Sequence, residues 1–280
     1  MTERGQGGST VVILHGAGES SYSWRHVQQQ LSGFARVVAY DRPGLGASEQ
    51  GPAPSAVGSV QELHTLLHAL GVSGPYVLVG HSLGGLLARL YALRYPEQVG
   101  GLVFVDSTHE ALKDDRKFRQ GFAAIGAFLK VYGAMSKVGL PRLLGQVFGL
   151  LPMYPERLAF FKQITPDEKR AWQAAVYRNF ASPGAFREFG AVYPLLEQAA
   201  QQWHRDPAIP QFGSLPMAVL TNPGFGDDWI GMHKELASRS NRSIHWISDQ
   251  KGHSIQMLQP DLVINAVKHV IDEAASHTTQ

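Results

Sequence analysis

The segment that most restricts the fold is Tyr76-Val-Leu-Val-Gly-His-Ser-Leu-Gly-Gly85. An apolar run leads directly into Gly80-His-Ser-Leu-Gly84, and a helical pattern from Gly85 to Tyr95 follows, ending at Pro96. Apolar runs of this kind read as strands buried on both faces, as a parallel sheet requires. A Gly-x-Ser-x-Gly placed between such a strand and a helix puts the serine on a sharp, strained turn whose close neighbours must lack side chains. Gly80, Gly84 and Gly85 meet that need. Ser82 is therefore the candidate nucleophile, and the next helix turns its positive N-terminal end toward it.

The rest of the chain repeats the alternation. Val11–Leu14, Arg36–Tyr40, Val99–Val105, Met217–Thr221 and Ser243–Ser248 read as further strands. Val60, Leu63, Leu66, Leu67 and Leu70 share one helical face, Gly71 stops that helix, and a last helix runs from about Pro260 to Ala275. This order predicts an α/β fold, a doubly wound, mostly parallel sheet. Between residues 107 and 215 no strand-like run occurs. That stretch predicts a helical cap inserted between two strands of a core formed by residues 1–106 and 216–280. It holds 16 of the 27 aromatic residues and a charge of +5, from 14 Lys/Arg against 9 Asp/Glu. A lid over an apolar pocket and a small core of the insertion's own both account for that composition.

Composition removes several classes of function. A net charge of +2 without a basic run gives no footprint for nucleic acid. The absence of cysteine removes thiol catalysis, disulfides and thiolate metal sites. The polar start, Met1 to Ser9, lacks the apolar stretch of a secretory signal, and no apolar run approaches the ~18 residues of a membrane span. The expectation is a cytoplasmic protein without a membrane span.

Four segments together carry a family resemblance: His15-Gly-Ala-Gly-Glu-Ser-Ser-Tyr-Ser-Trp-Arg25, Asp41-Arg-Pro-Gly-Leu-Gly-Ala-Ser48, the Gly-His-Ser-Leu-Gly-Gly turn, and Gly252-His253. The chain resembles capped hydrolases of the α/β-hydrolase superfamily, with loops similar to those of haloalkane dehalogenases, over most of Val11 to Val270 outside the insertion. The resemblance implies that His253 is the base. It also implies an oxyanion hole built from two backbone amides, those of Leu83 and Ala17. The acid partner stays open between Asp106, 24 positions after Ser82, and the Asp227/Asp228 pair in Asn222-Pro-Gly-Phe-Gly-Asp-Asp228. Structural roles are available to all three: Asp106 could cap the first turn of the insertion, and Asp227 or Asp228 the helix through Trp229–Ala237. The chain departs from the dehalogenases and epoxide hydrolases of this group at the nucleophile, which is serine rather than aspartate. It also departs at the N-terminus, where only about ten residues precede the first predicted strand. A shorter sheet would leave an edge in need of cover, for which a second copy of the chain would serve.

These residues predict a carboxylesterase-like serine hydrolase acting on a small apolar acyl substrate, with neither cofactor nor metal. A lactonase, thioesterase, C–C hydrolase or perhydrolase would use the same residues, and a non-catalytic ligand-binding module would keep the fold. His64 and His68, four apart on a helix, have a spacing that could bind metal but are expected on a solvated face. His109, at the start of the insertion, could line the pocket.

Overall fold

In the computed structural model of the chain, the residues described are 2–5, 8–136, 138–140, 143, 160, 162, 164–180, 182–202 and 211–277. Seven strands form one sheet: β1 (Thr2–Arg4), β2 (Thr10–Leu14), β3 (Arg36–Ala39), β4 (Tyr76–His81), β5 (Val99–Val105), β6 (Met217–Thr221) and β7 (Ser243–Ile247), in the order β1-β3-β2-β4-β5-β6-β7. All neighbouring pairs are parallel except β1 with β3, whose register sets Thr2 against Ala39. The sheet edge beside β3, expected bare, is thus covered by the chain's own β1. Its three residues are all exposed, so it carries no apolar pattern by which to recognise it.

The helices are α1 (Arg25–Leu31), α2 (Ala56–Ala69), α3 (Leu83–Arg94), α4 (Arg116–Ser136), α5 (Pro166–Phe180), α6 (Pro183–Gln202), α7 (Asp227–Ala237), the single turn α8 (Ile255–Leu258) and α9 (Pro260–His277). Alternate strand residues feed two separate cores. Val12, Leu14, Leu78 and Phe104 pack on one face with α2, α3 and the Val192–Ala199 part of α6. Val11, Ile13, Val79 and Val105 pack on the other with α1 and α9. This period of two, both halves apolar, is what continuous apolar strand runs mean in a sheet covered on both sides.

Between β5 and β6 the described residues contain helices and turns but no strand. This is a helical insert, although parts of it, 144–159 and 203–210 among them, lie outside the described residues. The loops after β2, β4, β5 and β7 leave the sheet at the carboxyl ends of their strands, where open α/β sheets gather their ligand sites.

Candidate functional site

Ser82 sits between β4 and α3 with φ 50° and ψ −120°. Only two non-glycine residues among those described have a positive φ, Ser82 and Asp106. Such conformations cost about 1–3 kcal/mol each and persist where surrounding contacts over-determine them. For Ser82 those contacts are the Ser82 N–H to the Val105 carbonyl (3.2 Å), and the Thr108 and Gly85 amides to the Ser82 carbonyl (both 3.0 Å). A side chain at Gly84 would put its Cβ 2.0 Å from the Leu14 carbonyl oxygen, and one at Gly85 2.2 Å from Ser107 Oγ. The glycines therefore let α3 press against β2 and the β5 loop. The Thr108 hydroxyl lies 3.4 Å from Ser82 Oγ.

His253, in the loop after β7, directs Nδ1 at Asp106 Oδ2, 2.6 Å away and 147 positions distant in the chain. Asp106 has no exposed surface. Its other oxygen accepts the Asn222 N–H (3.0 Å) and the Trp229 indole N–H (2.7 Å). Burial alone would raise its pKa, but the hydrogen bond and charge of His253, with the His233 ring and the Asn222 amide behind them, hold it below the usual carboxylate range. Asp227 and Asp228 are exposed on the first turn of α7, whose N-cap is Gly226. Neither is the acid facing His253, and neither is the N-cap of that helix; both lie in its first turn, where they complement the helix dipole. Phe225 stands beside the imidazole, its ring 5.7 Å from that of His253 and 5.3 Å from that of Trp229.

The loop after β2 supplies the amides. The Gly16 N–H donates to Glu19 Oε2 (3.1 Å) and the Gly18 N–H to Glu188 Oε2 (2.8 Å). Among the described residues, the Ala17 and Leu83 N–H groups donate to no protein acceptor. His81 joins this loop to the His253 loop. Its Nδ1 lies 3.1 Å from Glu19 Oε2, and its Nε2 donates to the His253 carbonyl at 2.9 Å.

The sequence pattern agrees with this architecture over nearly its whole length. A family model described as alpha/beta hydrolase fold matches residues 9–260. The chain belongs to the alpha/beta hydrolase fold family. Epoxide hydrolase 2 of Siraitia grosvenorii is 32% identical over 202 residues, 65% of this chain and 63% of that protein. A structure of an epoxide hydrolase from Bacillus megaterium covers 97% of the chain and 95% of its own, with a TM-score of 0.71 and 18% identity. A thermophilic esterase from Thermogutta terrifontis covers 98% and 92%, with a TM-score of 0.66 and 19% identity. At those identities the two structures speak for the fold alone. The chain spans between 22% and 63% of the length of the first curated relatives it matches.

Ser82, His253, Asp106 and the amide-bearing loop at Ala17 thus gather around one end of this alpha/beta hydrolase sheet. Two histidines differ from expectation. His64 is half-buried rather than fully solvated: it stacks on Tyr95 at 4.1 Å and 10°, with Nδ1 3.1 Å from Gln98 Oε1, because α2 is packed on the C-terminal end of α3, whereas His68 is exposed. His109 is engaged within the protein. It is buried, and its Nε2 meets Glu235 Oε2 at 2.9 Å in a network with Glu110, Arg89 and Arg239. His109, Glu110 and Glu235 are close enough together to hold a cation. Their carboxylates already take guanidinium donors, and the hydrogen bond from His109, followed by that from Arg239, holds Glu235 down at about 2 against the opposing effect of burial.

Asn222 and Trp229 had no signal as partners of Asp106. The Asn222 turn reads as a place for an acid, whereas its asparagine side chain accepts the Gly224 and Gly252 amides (2.8 and 2.9 Å), fixing the His253 loop. His233 is a third unforeseen contributor. Burial lowers its pKa to about 4. Being neutral, it donates from Nε2 to the Ser107 carbonyl (2.8 Å) and accepts at Nδ1 from the Thr221 hydroxyl (2.8 Å). It thereby pins the segment between Asp106 and Thr108.

Proposed function

We propose that this chain is a serine hydrolase that cleaves a carboxylic ester, or a related acyl bond, through an acyl-enzyme. Ser82 Oγ attacks the carbonyl carbon and His253 takes its proton. The Ala17 and Leu83 amides stabilise the oxyanion, and His253 then protonates the leaving alcohol as the C–O bond breaks. Water, deprotonated by His253, attacks the acyl-Ser82 ester, which releases the acid and returns the proton to Ser82. Asp106 holds the imidazole with its proton on Nδ1, so that Nε2 is the basic nitrogen. The observation that carries the reading is the 2.6 Å contact from His253 Nδ1 to Asp106 Oδ2, made by a buried carboxylate whose other oxygen already has two donors.

Serine separates this chemistry from epoxide opening. An aspartate nucleophile attacking an alkyl carbon leaves an ester, which water can hydrolyse. A serine would leave an ether, which this machinery cannot cleave, so only acyl transfer gives turnover. An apolar acyl group is favoured by the aromatic cluster of the insertion. Ala17, Phe122 and Phe186 pack against the cluster of Leu129, Tyr132 and Phe189, and the charged pair Arg42–Glu188 beside the loop is internally compensated. In this reading residues 107–215 act as the cap.

The test compares wild type with Ser82→Ala on p-nitrophenyl esters of increasing acyl length. Turnover lost in Ser82→Ala is the expected result, and the length profile sizes the acyl pocket. Equal turnover in both proteins would refute the assignment.

A further inference from the structure

A carboxylate and a guanidinium taken out of water together seldom add stability over an apolar pair of the same volume, because desolvation offsets their attraction. Glu188 and Arg42 are such a pair, 2% and 3% exposed. Glu188 belongs to α6 of the insertion, and Arg42 follows β3 in the core. Their contact is bidentate: Arg42 Nε on Oε1, and Arg42 Nη2 on Oε2 at 2.9 Å. A plain staple between cap and core would not need these charges.

The rest of their hydrogen bonds account for them. Arg42 Nη1 donates to the His15 carbonyl and Nη2 to the Gly16 carbonyl, both at 2.8 Å. Glu188 Oε2 accepts the Gly18 N–H at 2.8 Å. Asn179, on α5 of the insertion, donates from Nδ2 to the Gly18 carbonyl (2.9 Å) and accepts the Gly46 N–H (2.6 Å). Gly18 has φ +66°, and a Cβ there would lie 2.4 Å from the Phe189 ring, so α6 also seals the loop from above. The peptide groups on both sides of Ala17 are thus tied by ionic or amide side chains, two of them supplied by the insertion. The Ala17 amide between them has no protein acceptor among the described residues.

We propose that Glu188 is a positioning residue for the oxyanion pocket: through Arg42 and the Gly18 amide it fixes the loop that aims the Ala17 N–H at the reacting carbonyl oxygen. The cap then does more than cover the pocket, because the pocket's second amide is set only when α6 is seated. The proposal rests on the reading of Ala17 as an oxyanion donor. The positive fork faces two carbonyl oxygens and the negative carboxylate faces an amide, so each charge is spent on backbone dipoles that an apolar pair would leave unpaired.

The experiment uses Glu188→Gln, which keeps shape and one acceptor but removes the charge, and Arg42→Lys, which keeps charge but loses the fork. Steady-state kinetics on a p-nitrophenyl ester are set beside the inhibition constants of a trifluoromethyl ketone, which forms an oxyanion on Ser82, and of the product acid, which does not. Both variants are expected to lose on the order of 10²-fold in kcat and in ketone affinity, the scale of one lost or misplaced oxyanion donor. KM and acid affinity should stay within about threefold, a split that loss of packing alone would not produce. Amide exchange followed by NMR in the wild-type protein provides a readout that needs no variant: Gly16 and Gly18 should exchange slowly and Ala17 fast. Folded variants with kcat and ketone affinity within twofold of wild type would overturn the proposal, as would a Gly18 amide exchanging as fast as Ala17. Absence of Ser82-dependent turnover in the wild type would instead remove the hydrolase reading on which it stands.

Discussion

Asp106 combines three properties that rarely coincide in one residue: a positive φ, complete burial and a carboxylate with both oxygens engaged by donors. Burial of a charge is tolerated here because His253, Asn222 and Trp229 all stabilise the ionised form. Asp106→Asn should therefore cut kcat by about 10³–10⁴-fold, because the amide can present an N–H to Nδ1 and hold the wrong tautomer. Asp228→Asn, on an exposed helix turn, should stay within twofold; steady-state ester kinetics on the two variants check the ranking, and its reversal would move the acid to α7. Trp229→Phe removes one donor from Asp106 Oδ1 and should cost roughly 1–3 kcal/mol of stability, measurable by urea unfolding. Ser82 and His253 could be singled out from sequence because each sits in a contiguous motif. The choice among Asp106, Asp227 and Asp228 could not be made there. It depends on which loop packs against the His253 loop, and Asn222 and Trp229, which decide the matter physically, lie more than a hundred positions from Asp106.

At the scale of elements, the two kinds of glycine separate sharply. Gly84 lies where α3 touches the β2 backbone, and a methyl group there would meet the Leu14 carbonyl oxygen at 2.0 Å. Gly84→Ala should cost about 3 kcal/mol or more, or prevent folding. Gly190 is an exposed position on α6 with nothing near its absent Cβ. Gly190→Ala should stabilise by about 0.5–1 kcal/mol through helix propensity; thermal melts of the two variants should move in opposite directions. Six of the seven strands are legible in the sequence: β2 to β6 because a strand buried on both faces must be apolar nearly throughout, and the half-exposed edge strand β7 through Ile244, Trp246 and Ile247. The seventh, β1, and the short helix α1 were not. β1 is exposed and pairs only through its backbone, and α1 buries only Val27, Gln28 and Leu31, too few residues to show a period.

Across the whole molecule, buried neutral histidines set the response to acid. Burial lowers His15 and His233 from 6.5 to about 4. Between those values the unfolded chain binds a proton at each ring and the folded chain does not, so stability is full above about 6.5 and is lost as pH falls toward 4. Each ring contributes up to about 1.4 kcal/mol per pH unit in that window. The depressed carboxylates Glu235 and Asp106 act in the same direction, but only below the ordinary carboxylate range. A urea midpoint that declines steadily from pH 6.5 to 4.5 is expected; a flat profile there would mean that these rings are not held neutral. The insertion is the part of the molecule least open to sequence reasoning. Its composition announced helices and an apolar interior, but not that Glu188 and Asn179 would reach into the loop beside Ser82, since a lone Glu between Phe186 and Phe189 carries no pattern. The proposed chemistry passes through an acyl group on Ser82. Its most direct test is rapid quenching of the protein during turnover of a p-nitrophenyl ester, followed by intact and peptide mass spectrometry. Acyl transfer through Ser82 requires a mass gain of one acyl group on the peptide containing Ser82, absent from Ser82→Ala; turnover with no adduct on that peptide, and undiminished in Ser82→Ala, would contradict it.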